Sequence, residues 1–167
     1  MEFQHVLTID PGKTASGWSY WKNLTEEELV PFATGVIRKD EYWEIVDSFQ
    51  SLSLKFDIGI VFIESQEYYP SKSVAVRKGD IFKLAHVTGA IATALYLGGC
   101  PWPVFVKPTA WKGQLTKKVV KERVRRIISK YVEDNALPGQ EYTITLRDHE
   151  TDAIGIGFFL LGKLSGN

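Results

Sequence analysis

The chain has a single cysteine, Cys100, and a single methionine. One thiol excludes an internal disulfide framework and a cysteine-rich zinc site. Net charge is also missing, because twenty basic residues cancel twenty acidic ones. No global cationic field therefore advertises a nucleic-acid partner. Long apolar runs are lacking too. The greasiest stretches, near 84–106 and 153–164, are broken by His86, Gly98, Gly99, Pro101, Pro103 and Lys163, so neither reaches the roughly 18 residues of a membrane-spanning helix. The opening MEFQHVLTIDPG has no basic region leading into an apolar signal core. These shortages predict a cytoplasmic protein with no membrane partner.

What remains is ordinary globular content, 44% hydrophobic over 167 residues, near the prior for one domain. Residues 1–167 are expected to form it. The zero net charge hides a segregation: residues 1–64 sum to −6, 65–106 to +2, 107–130 to +8 and 131–167 to −4. The basic stretch is either a solvated helix face or a positive surface.

Periodicity predicts the elements. His5–Asp10 reads as a buried strand cut off by Pro11-Gly12, and 16–21 and 32–38 as the rest of an antiparallel meander. Helical spacing covers 42–54. Ile58–Ile63 is a continuous apolar run ending at Glu64, as in a strand covered on both faces. A helix over 74–97, stopped by Gly98-Gly99, precedes a short strand at 104–106 and a loop through Trp111 to Gln114. Thr116 is a plausible N-cap for a helix with an apolar stripe at 119, 120, 124, 127, 128, 131 and 132. After Pro138-Gly139, Asp148 or His149 opens a last helix to about Leu164, in which Gly155 and Gly157 would permit close approach of backbones. The order predicts an α/β domain, a mixed sheet flanked by helices.

The acids fall at informative places. Asp10 and Glu64 each end an apolar strand, and parallel neighbours would bring them to one sheet edge. Singly, each could be a turn former or a solvated end. On the last helix, His149 and Asp152 are three apart and Asp148 and Asp152 four apart, so they share a face. Asp148 could be a helix cap or a supplementary ligand. Gathered carboxylates repel, and a hard divalent cation relieves that cost; oxygen donors suit magnesium or manganese, with His149 better suited to manganese.

TIDPGKTASGW, VFIESQ and HETDAIGIG, in this order, resemble the three acidic motifs of RuvC-like Holliday junction resolvases, including phage-encoded ones, in the RNase H-like superfamily. The resemblance spans nearly the whole chain. It implies an RNase H-like mixed five-stranded sheet, and metal-binding and catalytic roles for Asp10, Glu64, His149 and Asp152. It further implies two Mg2+ or Mn2+ ions per site, a homodimer, and paired symmetric nicks in four-way or other branched DNA that leave 5′-phosphate and 3′-hydroxyl ends. A phage-encoded member would work in the host cytoplasm. Lys107, Lys112, Lys117, Lys118 and Lys121 become candidate phosphate contacts, with Lys117 and Lys118 nearest the site. Tyr68 and Tyr69 could stack at the opened crossover or pack over the strand end. Trp111 could stack on DNA or anchor its loop, and the 74–97 helix is the expected dimer face. The competing readings are a broader branched-DNA or flap nuclease, a catalytically silent DNA-binding protein, and an RNase H-like ATPase or kinase. The last needs a cleft between two domains, for which the chain is short.

Overall fold

Strand alternation sorts the interior into two cores. The computed structural model describes residues 3–65, 78–135 and 146–164. Its strands are β1 (Phe3–Asp10), β2 (Ala15–Leu24), β3 (Ala33–Arg38), β4 (Ile60–Glu64) and β5 (Val104–Val106). The helices are α1 (Tyr42–Lys55), α2 (Lys78–Leu97), α3 (Pro108–Trp111), α4 (Lys117–Asn135) and α5 (Asp148–Leu160). The sheet runs β3-β2-β1-β4-β5. β1 is antiparallel to β2, and β2 to β3, whereas β4 is parallel to both β1 and β5. This is a five-stranded mixed sheet flanked by helices, the RNase H-like α/β arrangement.

In β1, Leu7 and Ile9 join Ile45 and Phe49 of α1 and Val87, Ile91 and Leu95 of α2 in one core. Val6 faces the other way, with Trp21, Phe62, Trp111, Val124, Ile154 and Phe158. Each fully buried aliphatic or aromatic side chain contributes roughly 1.5–3 kcal/mol. Thr8 also faces α5, and its hydroxyl donates to the Ala153 carbonyl at 2.7 Å. Ser19 Oγ lies 2.5 Å from Thr8 Oγ1 and accepts the Trp21 indole N–H at 3.0 Å. This buried polar chain fixes α5 on the sheet without leaving an orphaned donor.

Several sequence expectations are corrected. Pro108–Trp111, expected as loop, forms the short helix α3, with proline at its first turn. The last helix ends at Leu160 rather than Leu164. Gly155 and Gly157 do not admit backbones. A Cβ at Gly155 would lie 2.7 Å from the Trp111 ring, and one at Gly157 the same distance from the Trp21 ring. Thr116 behaves as expected, its hydroxyl accepting the Val119 N–H at 3.4 Å. The loop of the 64–72 region after Ser65, the first residues of the expected 74–97 helix and the Pro138-Gly139 turn lie outside the described residues. Among the described residues, no helix is long and apolar enough to cross a membrane.

Candidate active site

Parallel pairing of β1 and β4 matches Thr8 with Phe62 and Ile9 with Ile63. One step further, Asp10 and Glu64 end the two strands side by side, and alternation turns both toward α5. Strand carboxyl ends are where open α/β sheets place their ligands. α5 supplies Asp152 from above. Asp10, Glu64 and Asp152 are 7%, 8% and 7% exposed, an unusual condition for three carboxylates.

Two glycines make this approach possible. A Cβ on Gly12 would sit 2.0 Å from the Ala15 carbonyl oxygen, and one on Gly17 would sit 1.9 Å from that of His149. The first lets the chain turn tightly after Asp10; the second lets the amino end of α5 lie on β2. Glu150 secures that end, accepting the Arg147 N–H at 3.0 Å and the Thr34 hydroxyl at 3.1 Å. Gly17→Ala is therefore expected to destabilise the fold by about 1–3 kcal/mol, the usual cost of overpacking. Urea denaturation checks this, and an unchanged midpoint would remove the close approach from the account.

Each acid has a cationic or hydrogen-bonding partner. Asp10 Oδ2 lies 2.8 Å from His149 Nδ1. Glu64 Oε2 accepts the Trp111 indole N–H at 2.6 Å and the Lys112 ammonium at 3.1 Å. Asp152 Oδ2 is 3.6 Å from Lys117 Nζ, and Lys117 also reaches Asp148 at 4.0 Å. Asp148 in turn pairs with Lys121. Among the described residues, no three of His, Cys, Asp and Glu stand as a ready-made metal cluster.

The electrostatics nevertheless couple Asp10 to the other two acids. Burial, and then the Asp10 charge, raise the Glu64 pKa against the opposing pull of Lys112 and Trp111. Burial and then Asp10 push Asp152 up to about 6, with Lys117 and Lys112 opposing. His149 is raised mainly by its hydrogen bond to Asp10, against its own burial. The Lys121 hydrogen bond and charge hold Asp148 below the ordinary range. Desolvation and like charge act in the same direction on Glu64 and Asp152.

No protein-family model matches the sequence, and no curated protein matches it. Solved structures do match. Thermus thermophilus RuvC in complex with a Holliday junction substrate superposes with a TM-score of 0.66 at 17% identity, over 98% of this chain and 99% of that one. Another T. thermophilus RuvC structure gives 0.62 at 19% identity, over 99% of both. The yeast mitochondrial Holliday junction resolvase Ydc2 gives 0.57 at 15% identity, over 96% of this chain and 80% of that one. The chain shares the fold of these structures. At such identities the likeness is one of architecture, so function must be argued from the site.

Around this site the lysines separate. Lys112 and Lys117 stand against the acids, and Lys121 sits on the rim with Asp148. Lys118 points away, with its side chain 85% exposed and 3.9 Å from Glu122. Lys107 is exposed beyond the end of β5. Tyr68 and Tyr69 lie outside the described residues. Trp111 is fully buried, so its anchoring reading holds and the DNA-stacking one does not. Asp148 opens α5 as its first residue; the N-cap is Arg147. Sequence reasoning missed Glu150, whose signal was its place three residues after the N-cap. It also missed what the Trp111 N–H reaches.

Proposed function

We infer that this protein is a divalent-cation-dependent endodeoxyribonuclease that resolves four-way DNA junctions by paired symmetric nicks, leaving 5′-phosphate and 3′-hydroxyl ends. The observation that carries the reading is the buried trio Asp10, Glu64 and Asp152, gathered near the strand ends of a fold shared over 98% of the chain with a junction-bound resolvase.

The donor chemistry fits a pair of Mg2+ or Mn2+ ions. Carboxylate oxygens predominate, one imidazole stands among them, and burial together with the Asp10 charge already burdens Glu64 and Asp152. Asp10 and Asp152 would hold one ion, and Asp10 and Glu64 the other. Ions bound there supply an acidified water and stabilise charge on the leaving oxygen. His149 is oriented by Asp10 through Nδ1, and that hydrogen bond raises its pKa; from this position it would ligate a cation or orient the attacking water. Asp148 stays on the rim, occupied by two lysines. Lys112 and Lys117 offset the acids in the free protein and become available to DNA phosphate when cations take over that task.

Incising opposing strands needs two such sites, and a second copy of the chain supplies the other. Phe82, Tyr96 and Leu97 of α2, with Trp102 against Tyr96, are 56% to 70% exposed. Apolar surface of this kind supports pairing through that face.

The deciding experiment compares cleavage of a four-way junction, a three-way junction and linear duplex in Mg2+ and in Mn2+. Coordinated incisions confined to the four-way junction support resolution. Equal cutting of all branched substrates favours the broader branched-DNA nuclease, and metal-independent binding without cleavage favours a silent DNA-binding protein. Phosphate contact by Lys117 carries its own expectation. Lys117→Ala should weaken junction binding and lower the salt slope by about 1, because one fewer counterion is released. A slope equal to wild type across a salt series would strike Lys117 from the interface.

A further inference from the structure

Trp21 and Trp111 are the two largest wholly buried side chains, and each indole N–H needs a partner. Trp21 donates to a core hydroxyl, Ser19 Oγ. Trp111 donates to Glu64 Oε2 at 2.6 Å, one of the three acids of the site. Its ring fills an indentation in α5 that exists because residue 155 is glycine. The next residue closes the arrangement: Lys112 Nζ lies 3.1 Å from the same Oε2 and 4.8 Å from the Trp111 ring centroid. An apolar slot alone would be satisfied by phenylalanine. What tryptophan adds is a directed donor, held by the packing of its ring in the core with Val6, Phe62 and Ile154.

Resting on the nuclease reading above, the geometry assigns Trp111 as the positioning residue of Glu64. Its indole N–H fixes the carboxylate in one rotamer, so that this donor of the cation site is in place before DNA arrives. Groups that orient a metal ligand from behind typically change affinity or activity by about 10–100-fold when removed.

Trp111→Phe keeps an aromatic filler and deletes the donor. Titrating MnCl2 calorimetrically into full-length protein without DNA should show affinity reduced roughly tenfold or more. On a four-way junction, kcat should fall while the Kd for the junction stays at the wild-type value. A second measurement does not depend on that variant folding. The Trp111 indole 15N–1H resonance of the wild-type protein should move on addition of MgCl2 and in Glu64→Gln. Unchanged Mn2+ affinity in folded Trp111→Phe overturns the assignment, as does an indole resonance indifferent to Glu64→Gln. A wild-type protein that binds Mn2+ but never cuts the junction defeats the nuclease reading alone; calorimetry and the indole resonance then still decide Trp111.

Discussion

Asp10→Asn is expected to lower junction cleavage roughly 10³-fold or more, the scale seen when a group that acts on the transition state is deleted. Asp10 is the hub of the site. It contacts His149 at 2.8 Å, and its charge is felt by both Glu64 and Asp152. Asparagine preserves shape and can still hydrogen-bond the imidazole, but removes the negative charge that two cations would share. The fold and junction binding should survive, because the change takes a carboxylate away from approaching phosphates. Single-turnover cleavage in Mn2+, with a gel-shift assay alongside, tests both halves. Turnover close to wild type would end the proposed role of this pocket.

The second large effect concerns stability. Asp152 titrates at about 6 in the folded protein instead of 3.8, so between those values the folded state binds more of its proton than the unfolded state. Stability from this group is therefore fully present below about pH 4, falls as pH rises, and is lost above about pH 6. Asp152→Asn removes that penalty. Without divalent cations it should be more stable than wild type by about 1–3 kcal/mol at pH 7.5, allowing for the lost Lys117 contact, with the gain shrinking toward pH 4. Thermal unfolding in EDTA at several pH values measures this. A gain that does not vary with pH, or none at pH 7.5, would mean that the buried carboxylate is not strained by its neighbours. Such a cost is the expected companion of a functional site.

The strand-end acids were legible because each closes a mostly apolar stretch, VLTI in β1 and IVFI in β4, so a carboxylate at the end of each stands out against its own strand. Gly12 after Asp10 was legible as a turn, but not Gly17 as the seat of α5, because its neighbour His149 is 132 positions away. Which lysines face the acids was hidden for a related reason. Lys117 and Lys118 are adjacent in sequence yet about 100° apart around a helix, and only the packing of α4 on α5 decides which one turns inward. Trp111 carried an ambiguous signal: an aromatic residue beside a lysine and a glycine reads equally as a stacking platform or a core anchor. Its N–H acceptor depends on α3 and β4 meeting, which no local pattern announces. Arg147 is an uncommon N-cap residue, which is why Asp148 looked like the better candidate.

Because side chains along β1 alternate between two interiors, correct threading of that strand and assembly of the acidic pocket are a single event. A slip of one position would drive Asp10 in among Phe49 and Leu95 and hand Ile9 to the acids' side. A mispaired chain therefore never assembles the acidic pocket at all.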